Sequence, residues 1–174
     1  VLENWEHAVA RGATIHGEII GYGTSCDHAH LVKPEVAGQV RALEMTLADA
    51  GLTPADIDYV NAHGTATAEG DPVEVAALKR VFGGLAAAMP VSASKSMHGH
   101  LLGAAGAIEA IATVLALRHQ TVPPTANLAG NLDPACAGVD HVTTLRRLPL
   151  RAALSSSFAF GGSNAVLAFR AVQP

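Results

Sequence analysis

The stretch SKSMHGHLLGAAGA, residues 94–107, decides the fold class of this chain more than any other segment. It sets Lys95 five residues before His100 and then runs through glycines into an apolar segment that ends near Leu117. The apolar segment predicts a helix over residues 101–117. Because this segment contains Glu109 and is short for a bilayer, we expect a helix buried in a folded domain and no membrane span.

The composition bounds the class of protein. The chain has 174 residues, of which 49% are hydrophobic and 15% are charged, and this suits one globular domain with its own core. The formal net charge is -4, and no segment is rich in Lys and Arg. Both observations argue against a nucleic acid or a membrane surface as the partner.

The cysteines and the first residues indicate the compartment. Cys26 and Cys136 are far apart, with no CxxC pair and no Cys/His spacing that would bind zinc. The chain opens with neither Met nor the basic-then-apolar order of a signal peptide, and it reads as beginning inside an element. We therefore expect a cytoplasmic protein without a disulfide framework or a metal site.

Predicted strands alternate with predicted helices along the chain, and this alternation favours an α/β layered fold. Apolar spacing predicts helices over residues 5–11, 35–50 and 71–82, in addition to 101–117. Strands are predicted over 14–22, 57–62, 142–144, 152–157 and 165–169, with a strand end at 91–92. Residues 27–34 read as a loop, and 120–140, which include Cys136, read as an extended surface connection.

Two further motifs flank the opening stretch. Residues 61–67 read NAHGTAT and place His63 on a tight loop after a short strand, where a side chain can reach a ligand. Residues 157–164 read SFAFGGSN, and their paired glycines permit positive φ and close approach of the backbone to a ligand. A histidine or a glycine turn alone is usually structural, so the combination carries the argument.

Together, the three motifs resemble, in order and spacing, the C-terminal half of a β-ketoacyl synthase. The resemblance covers nearly all of residues 1–169. It implies a thiolase-like fold with a mixed sheet flanked by helices, in which residues 1–174 form the C-terminal domain. The half that carries the nucleophilic cysteine is absent from this chain. The motifs are nearer to free-standing fatty-acid-type elongating enzymes than to modular polyketide synthases, which tend toward SNIGH and SFGISGTNAH.

The resemblance implies catalytic roles for His63, His100 and Lys95. The two imidazoles would donate hydrogen bonds to the enolate oxygen that forms when a malonyl thioester loses carbon dioxide. His100 is expected at a helix start, where free backbone N–H groups should keep its ring neutral. On the residues alone, Lys95 is a solvated lysine. A carboxylate inside an apolar helix needs a cation, however, so Glu109 is its natural partner.

The resemblance also implies residues that bind the substrate. Thr65 and Thr67 would contact the phosphopantetheine arm, although on sequence alone they serve equally well as helix caps. Phe160 would gate the acyl pocket, and its backbone N–H would be an oxyanion donor. Phe158, Gly161, Asp27 and His30 would line the substrate site.

Three other residues match the family pattern without a direct catalytic role. Asn164 is interpreted as a loop anchor, while Asp71 and Glu74 are assigned to the helix start and to loop anchoring. Cys26 is rejected as a nucleophile, because it aligns with a position usually held by Ser or Ala.

The implied reaction is a decarboxylative Claisen condensation of an acyl thioester with malonyl-acyl carrier protein (ACP), giving 3-oxoacyl-ACP. No cofactor is expected beyond the phosphopantetheine of ACP. The expected partners are ACP, the cysteine-bearing half and a second copy in a homodimer. Alternatives are a polyketide or aryl-polyene ketosynthase, a separate subunit, and a non-catalytic partner like a chain-length factor. Retention of His63, Lys95 and His100 argues against the last, since such partners generally lose part of this set.

Overall fold

The structure is a computed structural model and describes residues 1–172. Its helices are α1 Trp5–Ala10, α2 Val36–Ala50, α3 Gly70–Phe82, α4 Lys95–His98 and α5 Ala105–His119. Its strands are β1 Glu18–Cys26, β2 Tyr59–Asn61, β3 Pro90–Ser92, β4 Thr121–Val122, β5 Asp140–His141, β6 Arg146–Arg147, β7 Ala152–Phe158 and β8 Ser163–Arg170. The predicted mixed α/β class is confirmed.

A six-stranded mixed sheet of order β1-β8-β7-β2-β3-β5 forms the centre of the fold. Strands β7, β2, β3 and β5 are parallel, whereas β8 runs antiparallel to both β7 and β1. Asn61, the last residue of β2, is in register with Ser155 on β7 and Ser92 on β3. The segments that follow β2, β3 and β7 therefore leave the sheet at the same edge, where open α/β sheets bind their ligands.

Helices cover both faces of the sheet. Alternate strand residues point to opposite sides, and Val60 and Leu154 join the core cluster beneath α2 and α3. Their neighbours Tyr59 and Ala153 join a second cluster together with Leu117 of α5. The chain thus folds into three layers, with α2 and α3 on one side of the sheet and α5 on the other.

The two faces of α5 differ in their surroundings. Its inner face packs on β7 and β8 and buries Glu109, Thr113 and Leu117. Residues Leu102–His119 have a mean hydropathy of 1.3, and by length and composition alone they are long and apolar enough to cross a membrane. In this fold the segment is a layer against the sheet, and the carboxylate of Glu109 is turned inward.

The outer face of α5 is apolar and exposed. Ile111 is 56% exposed and Leu115, one turn later, is 44% exposed, while Leu102 just before the helix is 77% exposed. A helix in a completed core does not normally leave such a stripe uncovered. We call the surface made by Leu102, Ile111 and Leu115 the outer α5 face.

Most predicted elements are confirmed to within a few residues, but three predictions are wrong. The first strand lies at 18–26 instead of 14–22, because its glycines pack directly on α2. Residues 142–144 form no strand, since β3 pairs instead with Asp140–His141. The connection 120–140 contains β4 and a helical turn, and Cys136 is buried in the core at 6% exposure, not on a surface segment.

The close approach of β1 to α2 predicts a stability effect. A Cβ added at Gly23 would lie 2.2 Å from the Ala42 carbonyl oxygen and 2.6 Å from the Thr46 backbone nitrogen. Gly23→Ala should lower the free energy of unfolding by about 1–3 kcal/mol, because backbone atoms must move to admit the methyl group. Urea denaturation measures this change.

Gly84→Ala is the matched control, because no atom lies within 4 Å of the added Cβ. This variant should be as stable as the parent or slightly more stable, since alanine restricts the unfolded chain. Equal stability of the two variants would contradict the packing of β1 on α2.

Candidate active site

The three sequence motifs meet at one edge of the sheet. Strand β2 leads to His63, the segment between β3 and α5 carries His100, and the β7–β8 turn carries Phe158 and Phe160. They line an open cavity of about 1030 Å³, which is also lined by Thr65, Thr67, Asp27 and Glu74. The topology therefore brings distant parts of the chain into one site.

His63 and His100 form an edge-to-face pair in this cavity. Their ring centroids lie 5.5 Å apart, with an angle of 85° between the ring planes. His100 Nδ1 accepts a hydrogen bond from the Leu102 backbone N–H at 3.2 Å. With Nδ1 as acceptor, the neutral ring carries its proton on Nε2 and can donate from there. The predicted helix-start position differs in detail, since a short 3₁₀ turn at Leu102–Ala104 comes between His100 and α5.

His63 is held neutral by its surroundings. Burial lowers its pKa to about 3, and the nearby ammonium of Lys95 acts in the same direction. Its Nδ1 is buried and finds no hydrogen-bond partner within residues 1–172. A neutral imidazole can donate a hydrogen bond to an oxygen that gains negative charge, so this environment suits oxyanion stabilisation.

Glu74 of α3 fixes the loop that carries His63. Its carboxylate accepts the backbone N–H of His63 at 2.8 Å and that of Gly64 at 2.9 Å. Gly64 has φ +40, a conformation that favours glycine. Burial raises the pKa of Glu74 to about 7, although its two backbone hydrogen bonds oppose this shift. Because the folded state then holds the proton more tightly than the unfolded chain, the free energy of unfolding should be highest in acid and should fall as pH rises toward 7. The predicted loop-anchoring contact is thus present.

Lys95 and Glu109 form the predicted ion pair. The Lys95 Nζ donates to Glu109 Oε1, and the two side chains are only 4% and 1% exposed. Burial raises the pKa of Glu109, while the ammonium of Lys95 opposes that effect. The pair lies behind the histidines and is not among the residues that line the cavity. The catalytic role of Lys95 stays a prediction.

Asn61 is a supporting residue that the sequence reasoning missed. Its Nδ2 donates to the Glu109 backbone oxygen at 3.1 Å and to Thr113 Oγ1 at 3.2 Å. Its Oδ1 accepts the Ser94 backbone N–H at 3.5 Å. Asn61 therefore joins β2 to α4 and α5. The available signal was a polar residue at the end of a buried strand.

The substrate residues predicted on the loops have different environments. Thr67 Oγ1 accepts the Gly70 backbone N–H at 3.1 Å, as a helix cap does, and lies 3.2 Å from Thr65 Oγ1 at the cavity wall. Asp27 is buried, and its carboxylate accepts Asn164 Nδ2 at 3.1 Å and the Glu35 backbone N–H at 3.0 Å. Asp27 and Asn164 thus anchor the β7–β8 turn.

Two predicted substrate residues are not part of the cavity wall. His30 is exposed, and its Nδ1 accepts the Val32 backbone N–H at 3.1 Å in a local turn. Gly161, with φ +78, donates its backbone N–H to the Leu31 oxygen at 2.7 Å. Local backbone contacts engage both residues, and their role in binding the substrate stays a prediction. Phe160, in contrast, lies at the cavity with 78% exposure.

The fold is a mixed sheet flanked by helices, with an edge-to-face pair of histidines and a buried Lys–Glu pair at one end of the sheet. This arrangement defines a ketosynthase-type domain. The family profile described as "Beta-ketoacyl synthase, C-terminal domain" matches residues 16–129. The chain belongs to this family.

Curated relatives include nodulation protein E of Rhizobium sp. (strain N33), which is 53% identical over 172 residues. The match covers 99% of this chain and 42% of that protein. The 3-oxoacyl-[acyl-carrier-protein] synthase 2 of Synechocystis sp. is 47% identical over 176 residues, with 99% and 42% coverage. The chain thus spans less than half the length of these relatives.

Solved structures show the same relationship. The ishigamide ketosynthase/chain length factor superposes with a TM-score of 0.93 at 42% identity, covering 98% of this chain and 42% of that chain. A type II polyketide ketosynthase, solved with its acyl-carrier protein and bound to the hexaketide, superposes with a TM-score of 0.93 at 37% identity and the same coverage. The thiolase-like architecture implied by the sequence is therefore confirmed.

The buried ion pair can be tested by a double-mutant cycle. Lys95→Met should destabilise the fold by about 3–5 kcal/mol, because it leaves the Glu109 carboxylate buried without its cation. Lys95→Met combined with Glu109→Gln should recover much of that loss, since the buried charge is removed as well. Denaturant unfolding measures both variants.

Arg11→Met is the control, because its pairing with Glu3 is at the surface. Its free energy of unfolding should stay close to that of the parent. Additive effects of the Lys95 and Glu109 substitutions would show that the two residues do not interact.

Proposed function

We propose that this domain stabilises the enolate in a decarboxylative Claisen condensation between an acyl thioester and malonyl-ACP. The observation that carries the proposal is the pair of imidazoles, with ring centroids 5.5 Å apart, at a cavity that can hold a thioester. Hydrogen-bond donors fixed in a partly buried site stabilise developing oxygen charge more than water does.

The chemistry divides into two steps. The malonyl thioester loses carbon dioxide, and the electron pair of the broken carbon–carbon bond becomes an enolate whose charge lies on the thioester oxygen. His100 donates from Nε2 to this oxygen, and His63 supplies the second donor. The enolate carbon then attacks an acyl group held on a cysteine sulfur, which leaves as thiolate and yields the 3-oxoacyl thioester.

The remaining parts of the proposal rest on relatives. The nucleophilic cysteine would come from the part of the relatives' length that this chain does not span. Acyl carrier protein is the proposed donor of both thioesters, in line with the names of a curated relative and of a solved ketosynthase complex. We also propose a cytoplasmic homodimer of fatty-acid type, with no cofactor beyond the carrier's phosphopantetheine.

The second candidate function is polyketide synthesis, either as the ketosynthase or as its chain-length partner. The structural likeness to the ishigamide ketosynthase/chain length factor favours keeping it. The chemistry at the histidines would be unchanged in a polyketide ketosynthase. Measured decarboxylation of malonyl-ACP would exclude a non-catalytic subunit, and the products formed from malonyl-ACP alone would separate repeated extension from single extension.

The histidine roles predict separable steps. In the polypeptide that carries both this domain and the cysteine, His63→Ala and His100→Ala should abolish carbon dioxide release from malonyl-ACP. Both variants should still take an acyl group onto the cysteine, because the imidazoles act on the enolate and not on the nucleophile. Radiolabelled carbon dioxide release and intact-protein mass measure the two steps.

His119→Ala is the control, since this histidine is exposed in the last turn of α5 and does not line the cavity. It should retain both steps. Unchanged carbon dioxide release in either of the other variants would refute the assignment.

The outer α5 face predicts dependence on the cysteine-bearing half. The chain as printed should condense nothing by itself and should bind a hydrophobic dye through the exposed Leu102, Ile111 and Leu115. Co-expression with the cysteine-bearing half should restore synthase activity and reduce dye binding. Measured product formation and dye fluorescence follow the two effects.

Ile111→Glu should prevent this recovery, because it places a charge on the surface that must be buried. Arg118→Glu is the control on the same helix, since Arg118 is exposed and polar. Condensation by the chain alone, or full recovery with Ile111→Glu, would contradict the docking of the two halves through this face.

A further inference from the structure

Gln39 is a polar residue on a buried stripe of α2 that is otherwise mostly apolar. Val40, Leu43 and Leu47 on this helix belong to the core cluster beneath the sheet. Gln39, one turn before Leu43, is buried with 1% exposure. A helix that needed only to pack against the core would place an apolar side chain here.

The amide of Gln39 lacks an internal partner. Its Oε1 is buried and accepts no hydrogen bond from any residue in the 1–172 range. Buried side-chain oxygens are nearly always paired, because leaving one unpaired costs free energy with no compensation. An exception in a native fold calls for a group that is supplied from outside.

Gln39 lines the same cavity as His63 and Thr67. The backbone beside it is fixed, because the Gly38 oxygen accepts Ser25 Oγ at 2.6 Å. Two other polar side chains on this wall bind each other, as Asn164 Nδ2 donates to Asp27 Oδ1 at 3.1 Å. Gln39 is therefore positioned to act on a ligand and not on its neighbours.

We propose that Gln39 is a substrate-binding residue whose Oε1 accepts a hydrogen bond from an N–H or O–H group of the thioester substrate. This inference rests on the proposed condensing function and adds a contact outside the sequence motifs. Two sources offer such a donor, namely a secondary amide of the pantetheine arm and a hydroxyl on the acyl chain. An unsubstituted hydrocarbon chain offers no donor. A substrate that lacks a donor leaves the Gln39 Oε1 unpaired, so Gln39 favours substrates that supply one.

The test uses the polypeptide that carries both this domain and the cysteine, with Gln39→Leu as the variant. Leucine fills a similar volume and accepts no hydrogen bond. The kinetics are measured with acyl-pantetheine thioesters, with analogues in which each pantetheine amide is replaced by an ester, and with acyl chains with or without a hydroxyl. Gln39→Leu should reduce kcat/KM about fivefold to tenfold for substrates that supply the donor and should not affect those that lack it.

Thr46→Val is the matched control. Thr46 is a buried polar residue of the same helix, but its hydroxyl donates to the Ala42 oxygen at 2.8 Å and does not line the cavity. Its replacement should lower thermal stability and leave the substrate preference unchanged. Gln39→Leu should keep or raise the melting temperature, because it removes an unpaired buried group.

The outcomes separate the sources and the alternatives. If the loss of kcat/KM caused by Gln39→Leu disappears with an amide-to-ester analogue, the proposal is supported and the donor is in the pantetheine arm. If the loss occurs only with hydroxylated acyl chains, the proposal is supported and the donor is the acyl hydroxyl. Equal loss with every substrate, or no loss with any, overturns it. A parent polypeptide that condenses no malonyl thioester would overturn the proposed function as well. An active parent whose Gln39→Leu variant has unchanged kinetics would overturn this inference alone.

Discussion

The ion pair between Lys95 and Glu109 is the interaction on which the site depends. Glu109 is on α5, which packs on one face of the sheet, and Lys95 follows β3 at the sheet edge. Burying an ionised carboxylate at this depth is costly, and the ammonium of Lys95 offsets that cost where the inner face of α5 packs on the sheet. Asn61 continues the network by binding the Glu109 backbone at the end of β2. The pair therefore joins the two elements that flank His100.

The same charges set the protonation of His63. Burial and the Lys95 ammonium both disfavour a second positive charge on His63, and they lower its pKa to about 3. Glu109 neutralises Lys95 without giving His63 a direct anionic partner, which would favour the imidazolium. In His100, Nδ1 accepts the Leu102 backbone N–H, and this leaves Nε2 as the atom that can donate. The site thus holds two neutral donors beside a fixed cation, and this favours a reaction that gathers negative charge on oxygen.

The sequence predicted the layered fold and the centre of the candidate site better than the loops. His63, Lys95, His100 and Glu109 were found because motifs of fixed spacing surround them, and a carboxylate in an apolar helix needs a cation. His30 and Gly161 are not among the residues that line the cavity. Which loop residues face a cavity depends on backbone hydrogen bonds, such as that from the Gly161 N–H to the Leu31 oxygen, and these leave no periodic signal in the sequence. Gln39 was missed for a related reason. A single glutamine in an amphipathic helix becomes informative only when its burial and lack of a partner are known.

The surroundings of α5 explain why this helix is apolar on nearly every side. Its inner face meets the sheet and the ion pair, while its outer face presents Ile111 and Leu115 to the exterior. A helix covered on one side only would carry polar residues outward and show a clear amphipathic period. Residues 101–117 show no such period, so the segment suits a central layer with a packed structure on both sides.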